Sequence, residues 1–208
     1  MADEALRALF LRIADGDTSG ACAALRSAPD LAAAALARGA TRAEPTDHFL
    51  VAITHHVYAG DTALHVAAAA HDVVVVDELA ALGADVDATN RRGARPLHYA
   101  VDGGPGADGW DPDAQRRTVA RLLALGADPD APDRNGTPPL LRAVRNRCAD
   151  AVDALLAGGA DPTVTNPRGA SARQLATTTT GRGGTGSAGA KVEQARIIDL
   201  LDAATAGR

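Results

Sequence analysis

Apolar residues recur at helical spacing in three stretches of the chain, and each stretch leads into the triplet Gly-Ala-Asp. The triplets begin at Gly83, Gly126 and Gly159. The apolar positions are Val73, Val76, Leu79 and Leu82, then Val119, Leu122, Leu123 and Leu125, then Val152, Leu155 and Leu156. Side chains three or four residues apart share one face of an α-helix, so each stretch predicts an amphipathic helix whose apolar stripe needs a neighbour.

A shorter element precedes each of these helices. The repeated units open at Gly60, Gly93, Gly136 and Gly169. These glycines are 33, 43 and 33 residues apart, so one unit is 33 residues long and the second contains an insertion. Pro96 and Pro139 suit the first turn of a short helix, where a missing N–H costs nothing. Because one unit cannot bury its apolar stripe alone, the pattern predicts an all-α stack of units.

The short helices contain motifs that resemble the Thr-Pro-Leu-His-x-Ala signature of ankyrin repeats. The motifs lie at residues 61–67, 96–100 and 137–143, and 33 residues is the length of one ankyrin repeat. Leu141 replaces the signature His, and Arg95 replaces the signature Thr. The resemblance implies an all-α ankyrin-repeat solenoid of stacked helix-turn-helix units with short β-turn or hairpin connections. It also implies a protein–protein interaction module, because this family binds protein partners in a concave groove.

The repeat register divides the chain into five segments. We expect an N-terminal capping repeat with an extended finger at 1–59, an ankyrin repeat at 60–92, a repeat with an insertion (102–112) at 93–135, a repeat at 136–168, and a C-terminal capping repeat with a Gly-rich insertion (177–191) at 169–208. Both insertions begin where a short helix ends, so both can fold over one rim of the groove. Two flexible surface loops are the alternative interpretation.

Charge and composition narrow the class of function. The formal net charge of −5 argues against nucleic-acid binding, which needs a basic face. No apolar run is long enough to predict a membrane span. Cys22 and Cys148 lie far apart and outside any zinc-ligand spacing, so we expect no metal, no disulfide and no cofactor. A cytoplasmic monomer is expected. Because Lys191 is the only lysine among 21 basic residues, the composition also suggests a bacterial source.

Arginines and their neighbours are the leading candidates for binding. In the arrangement that the resemblance implies, turn tips and short helices line the groove, while the longer helices, which contain the acidic residues, form the back. The predicted binding residues are Tyr58, Asp61, Arg91, Arg92, Arg95, Trp110, Arg134, Arg142 and Arg145. Guanidinium groups favour carboxylates and phosphates, so the predicted partner is an acidic protein surface or peptide. Arginines that only solvate the surface are the alternative.

Residues 42–59 predict an extended finger or hairpin, because they are rich in histidine and β-branched residues. The histidines and Tyr58 of this finger would approach the turn tip that holds Asp61, next to Arg91 and Arg92, which is a setting that can support proton transfer. The second hypothesis is therefore a small-molecule-binding protein or an enzyme acting on an anionic substrate, in a groove closed by the finger and both insertions. Its catalytic candidates are His55, His56, Tyr58 and Asp61.

Other candidate groups favour a structural role. His65 and His98 occupy the signature position, whose ring in the ankyrin family hydrogen-bonds the turn backbone. Gly184 to Gly189 fit G-x-G-x-x-G, but no strand precedes them, so we expect no dinucleotide site and at most an anion contact. Cys148 lies near a helix start beside Arg147, a setting that can lower a thiol pKa. A packing role is nevertheless favoured, because the repeat register puts no histidine beside it.

Overall fold

The structure is a computed structural model that describes residues 2–41, 46–105, 109–178 and 188–206. Its α-helices are α1 (Ala2–Ala14), α2 (Thr18–Ser27), α3 (Ala63–Ala69), α4 (Val73–Ala81), α5 (Pro96–Ala100), α6 (Pro112–Ala124), α7 (Pro139–Asn146), α8 (Ala149–Ala157), α9 (Ala172–Thr177) and α10 (Ala188–Ala206). Short and longer helices alternate from α3 to α10, and the predicted all-α fold class is confirmed.

The chain forms two compact units. The first contains Met1–Ala100 with Leu125–Ala127, and the second contains Val101–Ala124 with Asp128–Arg208. In the first unit α1 packs on α2 and α3, α2 packs on α4, and α3 packs on both α4 and α5. In the second unit α8 contacts α6, α7 and α10, and α9 contacts α7 and α10.

The longer helices bury the apolar stripes that the sequence predicts, except that the buried face of α4 includes Val75 in place of Val73. Val76 and Leu79 of α4 are buried as expected, but Val75 is buried as well, while Val73 is only half-buried. In α6 the buried pair is Val119 and Leu122, and in α8 it is Val152 and Leu155. Leu82, Leu123, Leu125 and Leu156 are half-buried.

Local hydrogen bonds set where the helices begin. Asp72 precedes α4, and its carboxylate accepts from the amides of Val74 and Val75 at 3.1 Å each. Ser171 and Gln174 form a capping box at the start of α9, with the Ser171 amide donating to Gln174 Oε1 at 2.9 Å. Such caps use helix-terminal N–H groups that have no partner within the helix.

A small antiparallel hairpin lies in the part of 42–59 that the structure describes. Its strands are β1 (Phe49–Leu50) and β2 (His55–His56), and Phe49 pairs with His56 while Leu50 pairs with His55. Below the strands the Val57 amide donates to the His48 carbonyl at 2.9 Å, and the Ala40 amide donates to the Val57 carbonyl at 2.7 Å. The backbone therefore joins the base of the hairpin to the segment that follows α2.

Parts of both predicted insertions lie outside the described residues. Residues 106–108 of the first insertion and 179–187 of the second, which include most of the G-x-G-x-x-G motif, are among them. Where the second insertion is described again, it is already helical, because α10 begins at Ala188. Within the described parts of the chain, no helix has the length and apolar character that crossing a membrane requires.

Candidate functional site

Two arginines lie over one tyrosine ring in the first unit. The guanidinium carbons of Arg91 and Arg92 are 5.4 and 4.8 Å from the centroid of the Tyr58 ring, within the range of cation–π attraction. Arg92 Nη1 also donates to the Tyr58 hydroxyl at 2.8 Å, and Arg91 Nη2 donates to the Ala40 carbonyl. We call Tyr58, Arg91 and Arg92 the Tyr58–arginine cluster.

The cluster presents positive charge that no described carboxylate neutralises. Arg91 and Arg92 are both exposed, and their side-chain contacts within the described residues are a phenol and a carbonyl. By contrast, Arg26 lies 2.9 Å from a carboxylate oxygen of Glu78. A stacked guanidinium has fewer accessible rotamers, so less entropy is lost when an anion binds it.

A buried carboxylate lies beneath the cluster. Asp61 is fully buried, and its oxygens accept from the Tyr58 amide at 2.6 Å, from Asn90 Nδ2 at 2.8 Å and from the Tyr99 hydroxyl at 2.8 Å. Asn90 Oδ1 in turn accepts from the amides of Arg92 at 2.8 Å and Ala94 at 3.1 Å. We call Asp61, Asn90 and Tyr99 the Asp61 network. Through these hydrogen bonds the network connects the loop that contains Tyr58 to the turn that contains Arg91 and Arg92.

The comparisons with known families agree with this repeat architecture. A family model described as ankyrin repeats (many copies) matches residues 64–106, and a single ankyrin repeat matches residues 135–167. The protein is an ankyrin repeat protein. No match was found among curated proteins. Ankyrin repeats generally act as protein-interaction modules, so a protein partner is the general function of these elements.

Asx side chains close the turns of successive ankyrin repeats, a feature that the sequence reasoning missed. Asn90, Asp133 and Asn166 each lie three residues before a unit-opening glycine. Asp133 Oδ1 accepts from the amides two and four residues later at 2.8 and 3.0 Å, and Asn166 Oδ1 does so at 2.9 and 3.0 Å. The shared position of these Asx residues in the repeat could have predicted their role in the turns. Nothing in the sequence could have predicted the hydrogen bond between Asn90 and Asp61.

The histidines of the ankyrin signature bond the turn backbone, as the resemblance implies. His65 Nδ1 accepts from the Thr62 amide at 3.2 Å, and His98 Nδ1 accepts from the Arg95 amide at 3.2 Å. His65 Nε2 donates to the Ala94 carbonyl at 3.1 Å. His65 is fully buried, and that burial lowers its pKa below the ordinary value of 6.5, despite the opposing effect of Asp61. Its imidazole is therefore neutral in the folded chain at pH 7.

This buried histidine predicts a loss of stability in mild acid. Between the lowered pKa of His65 in the folded chain and about pH 6.5, the unfolded chain binds a proton at His65 that the folded chain does not, so the free energy of unfolding decreases with falling pH by up to about 1.4 kcal/mol per pH unit. We expect His65→Gln, which keeps an acceptor for the Thr62 amide as Gln174 does in α9, to flatten this dependence between about pH 7.5 and 5.5. Urea unfolding measures it, with His56→Gln as the control. Equal pH slopes for His65→Gln and the original chain would contradict the assignment.

Of the catalytic candidates of the second hypothesis, His56 faces away from the Asp61 network, and the other three contact members of it. His55 and His56 are adjacent in β2, and neighbouring strand residues face opposite sides. Accordingly the His55 ring contacts Tyr99, at 4.3 Å between centroids, and the His56 ring contacts Phe49, at 4.7 Å. The contact between Tyr58 and Asp61 is a hydrogen bond from the Tyr58 main-chain amide to the Asp61 carboxylate. With Asp61 fully buried, the described contacts favour a positioning role for this carboxylate.

Two of the arginines predicted to bind a partner form ion pairs within their own unit. Arg95 Nη1 lies 3.3 Å from Asp87 Oδ1 in the first unit. In the second unit Arg142 donates through Nε and Nη2 to both oxygens of Asp102, at 2.7 and 2.5 Å. Both guanidinium groups therefore already have an anionic neighbour, which reduces the binding free energy that a partner's carboxylate would obtain by pairing with them.

The remaining predicted binding residues lie in the second unit. Trp110 is half-buried, and its Nε1 donates to Gln115 Oε1 at 3.1 Å, while Gln115 Nε2 donates to the Asp102 carbonyl at 2.9 Å. These bonds connect the described parts of the first insertion to α6. Arg134 and Arg145 are exposed.

Cys148 has the properties of a packing residue. The thiol is fully buried, and burial raises its pKa to about 12, which is opposite to the lowering that a helix start beside Arg147 can produce. Its Sγ donates to the Gly103 carbonyl at 3.4 Å. A thiol with this pKa has almost no thiolate at neutral pH, so nucleophilic chemistry is not expected of it.

Proposed function

We propose that this ankyrin repeat protein binds an acidic partner, and that the Tyr58–arginine cluster is a principal contact. The supporting observation is that two exposed guanidinium groups lie over one aromatic ring without a carboxylate partner among the described residues. A guanidinium can form two parallel hydrogen bonds to one carboxylate, which suits aspartate, glutamate or a chain terminus of a partner. The net charge of −5 disfavours a nucleic acid as that partner.

The Asp61 network makes the proposed contact surface rigid. Its bonds set the Tyr58 amide and, through Asn90, the Arg92 amide, so the ring and one guanidinium start from fixed backbone positions. Binding groups that are already ordered lose little conformational entropy when a partner binds. Arg95, Arg134, Arg142, Arg145 and Trp110 are proposed as secondary contacts.

Reversing both charges of the cluster tests the proposal. We expect Arg91→Glu combined with Arg92→Glu to weaken binding of a short glutamate-rich peptide about tenfold or more, because two attractive charges become repulsive. Isothermal titration calorimetry measures the affinity, and added salt should weaken binding to the original chain.

The matched control is the pair Arg117→Glu and Arg168→Glu. Both arginines are exposed and have no ion pair among the described residues, and the double variant changes the net charge by the same amount. A similar loss in this control would show a general charge effect rather than a site. Unaltered affinity in the Arg91/Arg92 variant, or no binding of the acidic peptide to the original chain, would reject the proposal.

A further inference from the structure

A cavity in the second unit has one charged end and apolar walls. It lies where α7, α9 and α10 meet, and its volume is about 80 Å³. Val144, Leu175 and Ile197 supply apolar wall, while Arg147, Gln194 and Arg145 supply the polar end. Holding one water takes about 10–15 Å³ of such volume, so the cavity has room for a group of several heavy atoms.

The charge at the polar end is buried and has no described counter-charge. Arg147 is 4% exposed. Its Nη1 donates to two neutral acceptors, the Ala190 carbonyl at 3.2 Å and Gln194 Oε1 at 3.0 Å. No carboxylate among the described residues pairs with it. Glu193, which precedes the acceptor Gln194 in the sequence, accepts instead from the Ala149 amide at 3.1 Å and from Arg196 Nη1 at 2.9 Å.

This arrangement is unusual on energetic grounds. Removing a guanidinium from water is energetically unfavourable unless an anion and further hydrogen bonds compensate, and two neutral acceptors compensate only in part. Arg196 of the same unit, by contrast, lies 2.8 Å from Asp150 Oδ1. An anion in the cavity would complete the Arg147 environment.

The backbone of Arg147 supplies an independent observation. Arg147 ends α7 with φ of +62°, in the left-handed region that favours glycine. In the repeat register the same position, eleven residues after the opening glycine, is Gly104 in the second repeat and His71 in the first. A long cationic side chain that lines a cavity, at a position that glycine can occupy, points to a function of the side chain.

We propose that this cavity binds an apolar monocarboxylate, with the carboxylate on Arg147 and the apolar part against Val144, Leu175 and Ile197. Of the two arginines that line the cavity, Arg145 is exposed to solvent and only Arg147 is buried. One buried guanidinium matches one negative charge, and apolar walls favour a short hydrocarbon body over a phosphate. The same chemistry occurs in a free short-chain acid and in a peptide C-terminus with an apolar last residue. The site is separate from the Tyr58–arginine cluster.

Binding of pentanoate to the full chain tests the proposal against pentanamide, which has the same shape without the charge. We expect pentanamide to bind at least about tenfold more weakly, as measured by ligand-observed NMR or calorimetry. Methyl NMR should show shifts at Val144, Leu175 and Ile197. A peptide ending in leucine, compared with its C-terminal amide, tests the second source. Equal binding of acid and amide, or no binding of either acid, would overturn the proposal.

Arg147→Gly removes the guanidinium and replaces it with the residue that prefers this backbone conformation. We expect at least about a tenfold loss of pentanoate affinity with helical circular dichroism unchanged. Affinity of the glutamate-rich peptide should not change, which separates this site from the proposed function. Undiminished pentanoate binding by Arg147→Gly would contradict the assignment. If the variant does not fold, the comparison of acid with amide on the original chain still decides.

Discussion

Replacing Asp61 with alanine should lower the free energy of unfolding by about 3–5 kcal/mol. The fully buried carboxylate accepts from the Tyr58 amide, Asn90 Nδ2 and the Tyr99 hydroxyl, at 2.6 to 2.8 Å. Alanine leaves these donors without this acceptor, and each buried unsatisfied donor costs about 1–3 kcal/mol. Urea unfolding followed by circular dichroism measures the change.

Two further variants make the Asp61 result specific. Asp15→Ala removes an exposed carboxylate of the same unit and should change stability by less than about 0.5 kcal/mol. Tyr99→Phe removes one of the three donors and keeps the ring, so it should cost about 1 kcal/mol. A cost for Asp61→Ala no larger than that for Asp15→Ala would show that the carboxylate does not position these loops.

The fold was predictable because it repeats. The motifs around Leu64, Leu97 and Leu140 recur in one register, and three matches in register are much stronger evidence for a repeat fold than one match. The same register even predicts the turn bonding of His65, since its role depends on local backbone alone. Val75 was missed because periodicity locates a helix face only to within a residue or so.

The candidate site was predictable only where its parts lie in neighbouring segments of the repeat register. Tyr58, Arg91 and Arg92 were placed near one another by the finger and the following turn tip, and the structure shows them in contact. The pairing of Arg142 with Asp102 was not predictable, because Asp102 lies 40 residues earlier in an insertion that has no counterpart in the other repeats.

The sequence did not predict which polar and charged side chains are buried. The sequence places Arg147 beside Cys148, a setting that can lower a thiol pKa, but both side chains are buried, and a buried thiol keeps its proton. Which side of a short helix faces a cavity depends on how α9 and α10 pack, and the residues between those helices follow no repeat pattern. The candidate anion site therefore depends on three-dimensional packing rather than on a motif.

A second large effect is expected at Gly39, which the chain of Tyr58 and Ala59 approaches closely. A Cβ built on Gly39 would lie 2.3 Å from the Tyr58 carbonyl carbon, 2.4 Å from Tyr58 Cα and 2.4 Å from the Ala59 amide nitrogen. These are backbone atoms, so they cannot move aside as the end of a flexible side chain can. The Ala59 carbonyl also accepts from the Arg91 amide at 2.8 Å, which ties this backbone to the arginine turn.

Gly39→Ala should therefore lower the free energy of unfolding by about 3 kcal/mol, at the upper end of overpacking costs, and weaken acidic-peptide binding by displacing Tyr58. Urea unfolding and calorimetry on the same preparation measure both effects. Gly189→Ala is the control, because a Cβ built on Gly189 meets no described atom within 4 Å outside its chain neighbours and its own helix backbone, and alanine favours the first turn of α10. That variant should be as stable as the original chain or slightly more so. If Gly39→Ala is as stable as Gly189→Ala and binds the acidic peptide equally well, the close packing of Gly39 against the Tyr58 backbone does not position the Tyr58–arginine cluster.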